Sequence, residues 1–203
     1  TGLPISYEGR YRWIVFLSSK THFGIPVLNR FYGVFQDGKV KARGIELRRG
    51  DTPDVVRQCQ DEVIQELAKA RNSEEFLQHI PCALSVLRRY AVKVLNRELA
   101  LDNLVISKQL SKDPKQYINN VNQAIAARQL QDHEVEVTAG QTVKYIILDA
   151  DNTHPERRVV PAQLINARKR YDANEYIRLL VDSLRTILSP FSFDNATLPA
   201  YLF

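Results

Sequence analysis

The sequence predicts an α+β fold: a basic, strand-rich stretch of about 50 residues, then a mostly helical remainder with a small sheet insert. Three observations predict it. Alternating apolar and polar runs near the start are joined by an Asp-Gly pair. Apolar residues further on recur at helical spacing behind capping residues. Positive charge is segregated into the first 50 residues, which hold nine Lys and Arg against three acids, a net +6, while the other 153 residues sum to −1.

"RYRWIVFL" (10–17) alternates and is rich in aromatic and β-branched residues, so it reads as a strand. "SSKTHFGIP" (18–26) reads as a loop. "LNRFYGVF" (28–35) and "KVKARGIE" (39–46) read as two strands joined by Gln36-Asp37-Gly38, with a type I′ turn expected at Asp-Gly. Asp51 then caps a first helix with Pro53 at its opening, and Val55, Val56, Cys59, Val63, Ile64 and Leu67 supply its apolar stripe. Asn72 with Glu75 three residues on opens a second helix, in which Pro81 predicts a kink or a break. "DNLVISKQLS" (102–111) reads as a short extended segment. A third helix is expected from Asp113-Pro114 to about Gln131. "VEVTAG" and "TVKYIILDA" read as strands flanking Gly140. Asp172 with Glu175 opens a last helix that Pro190 stops.

Composition narrows the function classes. Hydrophobic residues at 44% and charged residues at 25% describe an ordinary globular chain of one large or two small domains. No apolar run reaches 18 residues, so no membrane-spanning helix is expected, and "TGLPISYEGR" lacks the pattern of a signal peptide. Cys59 and Cys82 read as buried thiols in a reducing, cytoplasmic setting. His22, His79, His133 and His154 lack ligand spacing, and no catalytic or metal site is expected. Asp37, Asp51 and Asp54 are accounted for by turn and cap positions.

The basic hairpin is the candidate functional feature. Residues two apart in a strand share a face, so Lys39, Lys41 and Arg43 project together while Val40 and Ala42 point into a core. Arg30 and Tyr32 share a face of the partner strand. A cationic surface holding a tyrosine suits the phosphates of a nucleic-acid duplex, positioned without reading its sequence. The competing reading is a solvated sheet edge guarded by lysines. The charge segregation favours nucleic acid.

At these residues the chain resembles the C-terminal part of a family B DNA polymerase of the archaeal or bacterial kind. "RWIVFL…NRFYGVF" resembles palm strands, with Arg30-Phe31-Tyr32 standing where the family has Lys-x-Tyr. "KARGIELRRGDTP" resembles the passage into the first thumb helix, "LVISKQLSKDPKQY" a thumb segment whose lysine approaches the DNA backbone, and "TAGQTVKYIILDA" with "YDANEYIRLLVDSLRTILSPFSF" the thumb's small sheet and closing helix. The resemblance implies palm for 1–50 and thumb for 51–203. It implies primer–template contacts from Arg30, Tyr32, Lys39, Lys41, Arg43, Gly44, Arg48, Lys108, Lys112 and Arg128. Several have a plainer reading: a cross-strand pair for Arg30 and Tyr32, solvated charge for Lys39, Lys41 and Arg128, and pairing with Asp51 or Glu46 for Arg48 and Arg49. Gly44 is read as a place where the strand backbone can approach a ligand.

The departures matter equally. Arg30 keeps the cation of Lys-x-Tyr but as a planar fork. No Asp-x-Asp strand turn stands upstream, and two-metal phosphoryl transfer needs such carboxylates. The resemblance therefore implies a non-catalytic piece, Mg²⁺ bound only by the complete enzyme, and a large catalytic subunit or segment as partner. Trp13, Phe16 and Phe23 are the candidates for an apolar surface meeting that partner. In the tail, Leu198, Tyr201 and Leu202 resemble a degenerate sliding-clamp-binding peptide, with chance apolar packing as the alternative. A non-catalytic nucleic-acid-binding or scaffold protein remains a second reading, and a helical protein with no nucleic acid a third.

Overall fold

The computed structural model describes residues 7–19, 25–166 and 170–191. Its first sheet has the order β1-β2-β3, with β1 at Tyr11–Ser18, β2 at Pro26–Phe35 and β3 at Val40–Arg43, all antiparallel. Alternation divides each strand between two faces. Val15 pairs with Tyr32, which pairs with Ala42, and this row faces the helices. Phe16, Phe31 and Arg43 form the neighbouring row on the outer face.

The β2–β3 connection differs from the expected type I′ turn. Only Gly38 has positive φ, at 87°, and the loop holds three residues closed by Phe35 N–H donating to the Lys39 carbonyl. One residue in the left-handed region suffices for a three-residue hairpin with a bulge, so Asp37 is free to accept the Lys39 backbone N–H instead.

Helices α1 (Asp54–Leu67), α2 (Ser73–Leu95) and α4 (Ala173–Leu188) pack on one another and on the first sheet. In α1 the predicted stripe of Val55, Val56, Cys59, Val63, Ile64 and Leu67 is buried. Asp51 does not cap it. Pro53 occupies the boundary position, and the Asp51 carboxylate is bound elsewhere. Asn72 caps α2 by accepting the Glu75 N–H at 2.9 Å, as the sequence predicts.

Pro81 does not break α2, which runs unbroken through it. Proline deprives the Leu77 carbonyl of its donor, but both residues lie on the exposed face, where water can take that place. Cys82 also lies on this face and is exposed, whereas Cys59 is buried, so only one of the two expected buried thiols is found.

A second antiparallel sheet, in the order β4-β5-β6, holds Ile106–Gln109, Thr142–Ile147 and Val159–Pro161. Helix α3 spans only Asn122–Asp132 and packs on β5 and β6. The expected start at Asp113-Pro114 is a separate 3₁₀ turn, Pro114–Gln116, capped by Asp113. "VEVTAG" is not a strand: Glu134 has a φ of 62° and the chain turns out of α3 there. Asp172 caps α4 through the Glu175 N–H at 3.0 Å, and the helix ends at Leu188, before Pro190.

One core joins the parts, running from Leu17 and Tyr32 through α1, α2 and α4 to Tyr145, Ile146 and Val160 of the second sheet. Polar groups lock it. Gln60, fully buried on α1, accepts the Leu47 N–H at 2.6 Å and donates to the Ser183 carbonyl at 2.8 Å, joining the segment after β3 to α4. Tyr176 donates to the Leu104 carbonyl and accepts the Ile147 N–H, so α4 grips both the segment before β4 and the end of the central strand β5. No described helix is long and apolar enough to cross a membrane.

Candidate nucleic-acid interface

The predicted site residues divide according to what each side chain already touches. Tyr32 is withdrawn from any surface. It is 0% exposed, its hydroxyl donates to the Ile187 carbonyl at 2.9 Å, and burial pushes its phenol pKa upward. The expectation that Tyr32 contacts a duplex is therefore corrected: it faces the helices, and its hydroxyl ties β2 to α4. Sequence alternation identified its face as shared with Arg30 but could not say which face that was.

Arg30 is half-buried and bound internally. Its Nε donates to the Gly44 carbonyl at 3.2 Å and its Nη1 to the Ser18 carbonyl. The fork thus ties β1 to the end of β3, and phosphate contact through these two nitrogens would require both bonds to be given up. Gly44 has a φ of 69°, and a Cβ there would collide with the Asn29 carbonyl and lie 2.8 Å from Arg30 Cγ. The close approach that glycine permits is to the chain's own β2, which replaces the expected approach to a ligand.

Lys39, Lys41 and Arg43 do stand opposite Val40 and Ala42, as alternation predicts. Lys41 forms an ion pair with Glu8, and that hydrogen bond lowers the Glu8 pKa. Arg43 and Arg48 are exposed, and among the described residues their side chains have no hydrogen-bond or ion-pair partner. Lys39 is exposed in the turn, close enough for its charge to act on Glu8.

Arg49 and Lys108 converge on one carboxylate. Arg49 holds Asp51 with Nε at 3.0 Å and Nη2 at 2.8 Å, and Lys108 reaches Asp51 Oδ2 from β4. Burial alone would raise the Asp51 pKa, but the hydrogen bonds from Arg49 and Lys108 outweigh it and hold the value at about 2. Lys108, expected to face a duplex, is thus partly neutralised, because β4 runs beside the N-terminal end of α1. Beneath the triad lies a cleft of about 330 Å³ between α1, the second sheet and α4, whose lining includes Val56, Tyr145, Leu179 and Asp182.

Lys112 lies 5.0 Å from the Tyr117 ring centroid, and the Tyr117 hydroxyl accepts the Ser111 N–H at 2.9 Å. Arg128 donates through Nη1 to Asn120 Oδ1 at 3.1 Å, while its buried Nε has no partner among the described residues. Leu198, Tyr201 and Leu202 lie outside the described residues, as does Phe23. Trp13, expected on an open surface, packs inward. Its Nε1 donates to the Ala70 carbonyl at 2.9 Å, and its ring meets Tyr32 and Phe76 edge to face.

Sequence reasoning missed Lys144, exposed on β5 opposite Ser107, although the alternation Val143-Lys144-Tyr145 marks it as outward. The expected pairing of Arg49 with Asp51 is found, but Lys108 as a second partner was missed, which no local pattern could reveal because it lies 57 residues away.

Among the described residues no three His, Cys, Asp or Glu side chains are placed to hold a metal ion. They therefore do not fit a two-metal phosphoryl-transfer centre, and no chemical step is assigned to them.

A fold of two small antiparallel sheets around three packed helices is found again in a nucleic-acid polymerase. The structure of the family B DNA polymerase from the hyperthermophilic archaeon Pyrobaculum calidifontis matches with a TM-score of 0.71 at 20% identity, covering 94% of this chain and 23% of that one. The family model described as DNA polymerase family B matches residues 3–191, and the chain belongs to that family. The DNA polymerase of Pyrococcus horikoshii is 24% identical over 197 residues, 97% of this chain and 15% of its own length. That of Desulfurococcus sp. (strain Tok) is 24% identical over 192 residues, 94% of this chain and 23% of its own. The chain thus spans less than a quarter of the length of these relatives.

Proposed function

We propose that residues 1–50 are the closing part of a polymerase palm and residues 51–203 its thumb. Together they hold primer–template duplex by its phosphates, while the carboxylates and Mg²⁺ that transfer the nucleotide belong to another chain or segment. Family membership supports the polymerase context. The observation that carries the grip is the pair Arg43 and Arg48, exposed and without ion-pair partners among the described residues beside the β3 edge, in a chain whose positive charge is concentrated there. Lys39 extends this ridge. Lys41, Lys108 and Arg49 join it only by exchanging a carboxylate for a phosphate. Such contacts are sequence-independent, as a grip on moving DNA must be.

A partner polypeptide is supported by the free edge of β1. This strand has eight residues and a single charge, Arg12, and Phe16, Ile25, Leu28 and Tyr7 expose apolar surface around it, the last two 84% and 85% exposed. The opposite edge, β3, is only four residues long and carries Lys41 and Arg43, which guard it against pairing. A long, apolar, unguarded edge suits an added strand from the rest of a palm.

The test is duplex affinity across a salt series for wild type and the double variant Arg43→Ala/Arg48→Ala. Each lost phosphate contact lowers the log–log salt slope by about 0.9, so the double variant should lose about 2. Binding that is absent, or that ignores salt, refutes the reading.

A further inference from the structure

The run Val135-Glu136-Val137-Thr138 alternates β-branched residues with a polar one, yet it lies outside every strand. Its residue types are those of a strand, and the fold gives it no partner strand. The run is tied to the end of α3. The Val135 N–H donates to the Leu130 carbonyl at 3.0 Å, and Gln131 Nε2 donates to the Val137 carbonyl at 3.0 Å. Between these ties, the Glu136 N–H and carbonyl have no partner among the described residues. One residue of an antiparallel strand exchanges two hydrogen bonds with the residue opposite, and Glu136 has both groups to offer.

The run borders a cleft of about 640 Å³, within the range of ligand pockets. Ile125 of α3 and Val135, the latter 44% exposed, supply its apolar lining. Asp132, Glu134, Glu136 and Glu156 also line it, all exposed and none ion-paired among the described residues. Glu156 is placed there by its own carbonyl, which accepts from Gln129 Nε2 at 2.7 Å. Only Lys115 and Arg128 oppose these acids, and Arg128 Nη1 is engaged by Asn120. Among the described residues no three acids are placed to share a metal ion, and carboxylates repel phosphate. The arrangement suits several cations spaced along one ligand. Arg128 independently marks a missing polar partner: among the described residues its buried Nε–H is a donor without an acceptor. A basic peptide carries both complements, cations on its side chains and carbonyls on its backbone.

We propose that this cleft binds an extended basic segment of a partner polypeptide. The segment pairs with Glu136 as an added strand and sets its Lys or Arg side chains against the four carboxylates, with an apolar residue between them on Val135. This contact lies apart from the duplex grip and does not depend on it. Backbone hydrogen bonds supply affinity that any extended chain could use. The carboxylates supply the choice, because an acidic segment would meet like charge at every step.

The probe is a fluorescein-labelled peptide of alternating Lys and Val, titrated with the full chain and read by anisotropy. Glu136→Gln/Glu156→Gln should weaken binding about fivefold, whereas the control Glu74→Gln/Asp151→Asn, which removes two exposed acids elsewhere, should bind as wild type does. Val135→Ser should also weaken it, about threefold. The same peptide N-methylated along its backbone keeps its charge but loses its donors, and should bind about tenfold more weakly. Unchanged melting temperatures would show that the variants fold. If wild type does not bind the peptide, or if the Glu136/Glu156 and control variants weaken it equally, the cleft is not the site and the proposal falls. If the N-methylated peptide binds as well as the parent, attraction is by charge alone and the added strand is refuted. If the Glu136/Glu156 variant changes duplex affinity and leaves peptide binding untouched, the acids serve only to keep DNA off this side, and the proposal fails while the duplex grip stands.

Discussion

Replacing Asp51 with asparagine should tighten duplex binding while slightly weakening the fold. In the native chain one carboxylate holds Arg49 through two hydrogen bonds, at 2.8 and 3.0 Å, and also holds Lys108. The three groups together carry +1. Asparagine is nearly isosteric and removes the negative charge, so two cations become available to phosphate. At about 0.9 per contact, the salt slope should steepen by 1 to ~2, and affinity at low salt should rise about tenfold. The stability cost follows from the carboxyl pKa, which falls from 3.8 to about 2. That shift corresponds to roughly 2 kcal/mol before allowance for solvent, and about 1 kcal/mol once the partial exposure of both partners is considered. The folded-state pKa is depressed, so this stabilisation is present above pH 3.8 and fades as pH falls toward 2. The assay is fluorescence anisotropy on a labelled duplex across a salt series, with thermal melts from pH 7 down to pH ~2. A variant that binds more weakly than wild type, or with an unchanged slope, would refute the reasoning, since Asp51 would then be supporting the binding geometry rather than competing for its cations.

Other perturbations test the remaining assignments. Tyr32→Phe should lower stability by about 1 to 2 kcal/mol, because the buried Ile187 carbonyl loses its donor, yet leave the salt slope of duplex binding unchanged; a changed slope would restore Tyr32 as a contact. Gly44→Ala should destabilise by about 2 kcal/mol or more in chemical denaturation, since the residue has positive φ and its new Cβ would meet the β2 backbone. A thiol reagent should modify Cys82 rapidly in the native state and Cys59 only on unfolding, because burial raises the Cys59 thiol pKa and denies access; equal rates would contradict the packing of α1. Leu28→Ser should reduce association with a polypeptide covering the rest of a family B polymerase, measured by sedimentation, while leaving the chain's own melt nearly unchanged, since the side chain is 84% exposed.

How far the sequence could be read depended on the range of the interaction. The caps at Asn72 and Asp172 were legible because the donor lies three residues away. The stripe of α1 and the alternation of Lys41 and Arg43 with Val40 and Ala42 were legible because helix and strand periods are local. Of the two outcomes Pro81 predicts, a kink or a break, the break does not occur, because on α2 the freed Leu77 carbonyl lies on the exposed face. The third helix was read too long because Asp113-Pro114 does cap a helical turn, one that ends after three residues.

What the sequence determined by itself is therefore the α+β class, the segregation of positive charge and the family resemblance, all of which rest on residue identity and short spacing. Only the tertiary structure decided which of those charges remain available. Arg30 is taken by carbonyls at Ser18 and Gly44, and Lys108 by an aspartate 57 residues away, whereas Arg43 and Arg48 keep their charge exposed to solvent. The physical reason is that a cation's partners are set by distance in space, and at separations of tens of residues that distance is fixed only once the core has closed.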